Sequence, residues 1–125
     1  MKCPCGSGIE YKKCCKPFHK NKKKPKNALE LMKSRYSAYV MGEVKYIIKT
    51  THKNNPEWKN PNWQEEIKQF CQSNFKKLEI LDFITHQNEA FVEFKAYIDD
   101  YVIYEKSRFV KEDMWLYESG IINPN

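Results

Sequence analysis

From residue 27 to about residue 74 apolar side chains recur every three or four positions, and beyond that they recur every second position. In the first part Leu29, Met32, Tyr36, Tyr39 and Val40 fall on one helical face. Asn27 with Glu30 three residues on resembles a capping box at its start, and Gly42 suits its end. A second short helix is expected over 43–49, with Val44, Ile47 and Ile48 on one side. Pro56 and Pro61 mark 50–62 as a loop. Asn62 and Glu65 repeat the capping pattern ahead of a third helix that carries Trp63, Ile67, Phe70 and Cys71 and ends near Asn74. The alternation then predicts four strands, over 77–86, 89–98, 101–111 and 114–119. In the second of these Ala90, Val92, Phe94, Ala96 and Ile98 face one way, while Glu89, Glu93 and Lys95 face the other. Two-residue links such as Gln87-Asn88 and Asp99-Asp100 force neighbouring strands to run antiparallel. Three helices followed by a four-stranded antiparallel meander is an α+β order, with the helices packed on one face of the sheet.

Charge divides the chain differently. Residues 1–26 hold nine lysines against Glu10 alone, whereas the remainder is close to neutral, so the net +6 belongs to the N-terminal segment. The expected organisation is a cysteine module at 1–16, a basic linker at 17–26 and an α+β domain at 27–125. A cationic module on a near-neutral body fits an acidic partner surface, either RNA or a negatively charged protein. Lys12, Lys13, Lys16, Lys22, Lys23 and Lys24 are the candidate contacts. The plainer reading of residues 20–26 is a solvated tether. No apolar run approaches the roughly 20 residues that span a bilayer, so no membrane insertion is expected. With no signal-peptide core after Met1 and Lys2, a cytoplasmic location is expected.

Four of the five cysteines, Cys3, Cys5, Cys14 and Cys15, lie in the first fifteen residues. In a reducing compartment such clusters are more often metal ligands than disulfides. Two ligand pairs brought together by a turn give a tetrahedral thiolate site, and Gly6 and Gly8 free the backbone to make that turn. Ser7 can brace it, residues 10–15 can form one helical turn, and backbone amides around Gly6–Gly8 are the expected hydrogen-bond donors to the sulfurs. Zn2+ is the expected ion, with iron as a competitor. Four protein thiolates leave no coordination position for water or substrate, which argues for a structural metal and against catalysis. His19 is a further possible ligand, ranked below Cys15. Cys71, beside Phe70 on an apolar helix face, reads as core.

The run Cys3-Pro4-Cys5-Gly6-Ser7-Gly8, then Tyr11-Lys12 and Cys14-Cys15, resembles the SEC-C motif, the small zinc-binding tail of SecA and several other bacterial proteins. The resemblance implies metal ligation by those four cysteines and a docking role toward a chaperone or the ribosome. Many copies of the motif carry His as the last ligand, where this chain has Cys15. The body resembles the bacterial YchJ family in Leu31-Met32-Lys33-Ser34-Arg35-Tyr36-Ser37-Ala38-Tyr39-Val40, in Tyr46-Ile47-Ile48-Lys49-Thr50-Thr51-His52, and in the run from Glu105 to Glu112 followed by Trp115-Leu116-Tyr117. That family implies a nuclear transport factor 2-like (cystatin-like) cone, with helices in the hollow of a curved sheet. Its longer members end in a second cysteine motif that is not found in residues 121–125, so a function needing paired modules is not expected.

A cone of this kind encloses a pocket, and Arg35, Tyr36, Tyr39, His52, Ser107, Arg108 and Trp115 are the candidate lining residues. At helix and strand periods Tyr36, Tyr39 and Trp115 read equally as core. Arg35 and Arg108, the only arginines, suit either an anion or a structural pairing with a carboxylate such as Glu105. His52 suits a helix end, or a pair with Glu105 or Asp82. No catalytic residues are assigned. The expected function is a metal-binding accessory protein that docks through its basic module, and the alternative is a small-molecule-binding protein or enzyme that uses the cone.

Overall fold

The structure, a computed structural model, describes residues 1–124; Asn125, the last residue of the expected α+β domain, lies outside them. Helix α1 (Lys16–His19) follows the cysteine module, and α2 (Ala28–Met41), α3 (Val44–Lys49) and α4 (Trp63–Phe70) precede the sheet. Strands β1 (Phe75–Thr85), β2 (Glu89–Ile98), β3 (Tyr101–Lys111) and β4 (Trp115–Ile122) form an antiparallel meander in the order β1-β2-β3-β4. Register shifts at Phe75/Lys77 and Ile80/Asp82 in β1, and at Arg108/Phe109 opposite β4, bend it into the hollow that receives α2. No helix among the described residues is long and apolar enough to cross a membrane.

Helix α2 starts as its sequence predicts. Asn27 Oδ1 accepts from Glu30 N at 2.8 Å, and Glu30 Oε1 accepts from Lys26 N at 2.9 Å. Leu31 and Met32 are buried against the sheet, where Val92, Ile98 and Phe109 complete the core. The alternation along β2 is complete: Ala90, Val92, Phe94, Ala96 and Ile98 are all buried. Asn62 caps nothing. Asn60 Oδ1 accepts from Asn62 N instead, and α4 stops at Phe70, short of Asn74.

The expected loop over 50–62 is ordered by two attachments. Thr51 bridges Tyr117 in parallel, and His52 N donates to Tyr117 O at 2.7 Å, so the segment covers part of the free edge of β4. A 3-10 turn (Pro56–Lys59) follows, with Trp58 Nε1 donating to Thr51 O at 3.0 Å. The basic linker also departs from a free tether. Phe18 and His19 on α1 are buried, Pro25 is buried, and Lys20 pairs with Glu43 at 3.2 Å.

Candidate functional site

The cysteine module is a short hairpin. Lys2 bridges Glu10, Cys3 N donates to Ile9 O at 2.8 Å, and Tyr11 N donates to Met1 O at 3.0 Å. Gly6 (φ +86°) and Gly8 (φ +80°) take the left-handed turn between the strands, with open space around each, so backbone conformation and not crowding requires them. A 3-10 turn (Tyr11–Lys13) then delivers Cys14 and Cys15 against Cys3 and Cys5. The four Sγ atoms all lie within 4.8 Å of one another, Cys5 and Cys14 at 3.6 Å, and no disulfide forms. Metal–thiolate bonds of about 2.3 Å give a tetrahedron with edges of about 3.8 Å, so the sulfurs are spaced to hold one metal ion.

The sulfurs are contacted by the backbone amide of Ser7, in the Gly6–Gly8 turn as expected, which bonds Cys5, and by hydroxyl groups as well. Ser7 Oγ accepts from Ile9 N at 3.2 Å and is 3.1 Å from Cys14 Sγ, within hydrogen-bonding reach of the sulfur. Ser37 Oγ lies 3.6 Å from Cys3 Sγ. Such close sulfurs do not share one protonation state: the neighbouring Cys15 thiol, then Ser7, holds the Cys5 thiol well below its ordinary value, against burial, while Cys5 and burial push Cys15 far up. An ion that replaces the thiol protons relieves that conflict.

His19 is not a ligand. Its Nε2 donates to Ser34 O at 2.8 Å and its Nδ1 accepts from the Tyr11 hydroxyl at 2.8 Å, an assignment that the carbonyl partner fixes. Burial lowers its pKa, in keeping with a neutral ring. Its ring also packs 4.9 Å from that of Tyr46, whose hydroxyl meets Ser34 Oγ at 2.6 Å. With Cys3 on Ser37 and Met41 against the cysteines, the module is seated on α2. Lys12, Lys13, Lys16, Lys22, Lys23 and Lys24 are all exposed, and Lys23 Nζ lies over the Phe18 ring at 4.8 Å. Lys13, Lys23 and Lys33 border a groove of about 240 Å³ beside Cys14 and the half-exposed Ile9.

The second candidate site is a cavity of about 160 Å³ between α2 and the inner face of the sheet. Arg35, Tyr36, Tyr39 and Ser107 line it as expected. Three expected residues do not. Arg108, next to inward-facing Ser107, points to the outer face and pairs with Glu89 at 2.7 Å and Glu118 at 3.3 Å. His52 Nε2 meets Glu112 Oε2 at 2.6 Å outside the cavity, and neither Glu105 nor Asp82 is its partner. Trp115 is buried in the core beyond the cavity wall. Arg35 does not pair with a carboxylate: its Nη1 donates to Ile47 O, Thr50 Oγ1 and Thr51 Oγ1 at 3.0, 2.7 and 3.1 Å, and its guanidinium lies 4.6 Å from the Tyr117 ring centroid.

Comparison with known proteins agrees with both parts of this architecture. Residues 2–17 match the SEC-C motif, and residues 27–120 match the model of the middle, NTF2-like domain of YchJ. The chain belongs to the YchJ family. A UPF0225 protein of Vibrio parahaemolyticus is 42% identical over 125 residues, covering 94% of this chain and 73% of that protein. One from Photorhabdus laumondii is 37% identical, covering 95% and 79%. The solution structure of a SEC-C motif containing protein from Rhodopseudomonas palustris superposes with a TM-score of 0.86 at 27% identity, over 97% of this chain and 98% of that one. The crystal structure of a SEC-C motif containing protein from Psychrobacter arcticus gives 0.80 at 25% identity, over 98% and 83%.

Two polar residues that line the cavity of this YchJ domain, Glu105 and Tyr117, are not among those expected from the sequence. Both were within reach of strand periodicity. Ile103, Glu105, Ser107 and Phe109 share one face of β3, and Tyr117 lies opposite Phe109. Burial holds the Tyr117 hydroxyl well above its usual range, the Glu105 carboxylate adding to the shift.

Proposed function

We propose that this YchJ-family protein is a cytoplasmic, zinc-binding accessory protein whose basic N-terminal module docks on an acidic partner, RNA or protein. The observation that carries this reading is the seating of the four-sulfur centre on α2, with Lys12, Lys13 and Lys16 exposed in and next to the module and Lys22, Lys23 and Lys24 exposed on the segment that follows. A rigid module presents its charges in a fixed array, at less entropic cost on binding than a flexible tail. The groove beside Cys14 adds apolar Ile9 to that array. Zinc is favoured over iron because it has no redox chemistry to manage and takes four thiolates as a closed structural site. The free cysteines suit a reducing cytoplasm.

Elemental analysis of protein purified under reductant is expected to find one zinc per chain. Pull-down from lysate at low and high salt is expected to enrich ribosomes or acidic proteins at low salt, with retention falling steeply as salt rises. The Cys14→Ser, Cys15→Ser double variant is expected to lose both metal and partner. Equal retention by that variant, or no enrichment at low salt, removes the docking reading.

A further inference from the structure

The interior cavity stands apart from the metal module and carries its own chemistry. A space of about 150 Å³ accommodates a benzene ring, and this cavity has about 160 Å³. Aromatic rings from Tyr36, Phe70, Phe75 and Phe94 wall most of it. Its polar end has two opposite charges that are not paired with each other.

Arg35 is 8% exposed, and its hydrogen bonds all leave from Nη1. The edge formed by Nε and Nη2 has no partner among the described residues. No buried side-chain nitrogen or oxygen among the described residues lacks one, so that edge faces open space. Glu105 has the complementary arrangement. Its Oε2 accepts from Ser107 Oγ at 2.6 Å and from the Tyr117 hydroxyl at 3.0 Å, and its Oε1 is free. The Tyr117 ring lies between them, its face against the guanidinium and its hydroxyl on the carboxylate. Gly120, opposite Ser107 in the β3–β4 register, makes room for this group: a Cβ there would press on Glu105 Oε2 and sit 2.6 Å from its Cδ and 2.8 Å from the Tyr117 hydroxyl.

We propose that this cavity binds a zwitterionic small molecule, an α-amino acid with an apolar side chain. The carboxylate bridges the Nε–Nη2 edge of Arg35, the ammonium group meets Glu105 Oε1, and the side chain lies among the rings. Charge balance selects this class. A lone carboxylate would set a like charge near Glu105, a lone amine would do the same at Arg35, and a hydrocarbon would strip water from both charges without replacing it. The volume is that of a single ring or a branched aliphatic chain, so the side chain fills the apolar part and the charged groups sit at its polar end by Arg35 and Glu105.

Isothermal titration calorimetry with L-phenylalanine and L-leucine, alongside the single-charge analogues 3-phenylpropanoate and 2-phenylethylamine, tests the proposal. At least one amino acid is expected to bind, and each analogue to bind about tenfold or more weakly than L-phenylalanine or not at all, since 3-phenylpropanoate lacks the charge-assisted bond to Glu105 and 2-phenylethylamine lacks the bidentate pair to Arg35. Glu105→Gln keeps acceptors for Ser107 and Tyr117 and is expected to abolish the preference for L-phenylalanine over 3-phenylpropanoate. Ala96→Leu fills the cavity from β2 and is expected to lose binding while keeping a cooperative melt. The proposal is overturned if neither amino acid binds wild type, if an analogue binds as tightly as L-phenylalanine, or if Ala96→Leu binds undiminished. Should Glu105→Gln fail to fold, the analogue series and Ala96→Leu decide the matter.

Discussion

His19 has each ring nitrogen committed, one to the Tyr11 hydroxyl of the metal module and one to the Ser34 carbonyl of α2. His19→Leu leaves the Tyr11 hydroxyl buried without its partner and takes from the Ser34 carbonyl the bond it accepts beyond its helical one, at a cost of about 2 kcal/mol near neutral pH. Because burial lowers the native pKa, the unfolded chain takes up the proton first as pH falls. The stability that depends on a neutral ring is therefore complete above about 6.5 and is lost as pH drops through the depressed native value. Urea unfolding of wild type and His19→Leu, compared at several pH values, is expected to show their difference shrinking on acidification. A difference that stays constant, or grows, contradicts this account. Cancelling wild type against variant removes the protonation of the cysteines, which both proteins share.

At the level of elements, two copies of one sequence signal behave differently. Asn27 and Asn62 each stand three residues before a glutamate, yet Asn27 alone accepts a bond from the helix start. Asn27→Ala is expected to cost about 1 kcal/mol and Asn62→Ala almost nothing, as read from thermal or urea midpoints. The contrast marks where the sequence was legible. Helix α2 and strand β2 could be read nearly to the residue, because each buries one periodic face in one environment. Helix α4 and the ordered segment at 50–52 could not, since Asn60 and the edge of β4 decide their geometry. The same division holds for the candidate sites. All four cysteines lie within thirteen residues, so local spacing alone identified them. The cavity is assembled from α2, α4 and all four strands, and the rarity of arginine drew attention to Arg108, although adjacent strand positions cannot both face inward. The Glu112 partner of His52 is sixty positions away and leaves no trace in any sequence period.

For the whole molecule, the metal module and the body form one folded unit. Phe18 joins the main core, and Ser34 and Ser37 of α2 receive His19 and Cys3. Metal binding is then linked to folding of the entire chain. Chelation is expected to lower the thermal midpoint of the single transition by at least about 5 °C, followed by circular dichroism of the sheet as well as the helices. A tethered knuckle would leave that midpoint where it was.

Helix α2 is a wall shared by two rooms. Ser37 looks toward the sulfurs and Ser34 toward Tyr46, while Arg35, Tyr36 and Tyr39 look toward the cavity. Inserting a single amino acid ahead of Ser34 would swing every later side chain by about 100°, turning Ser37 away from Cys3 and the tyrosines out of the cone in the same stroke. Side chains on this helix are open to exchange one at a time, but its spacing is not: the two halves of the molecule are phased to each other by a count of residues.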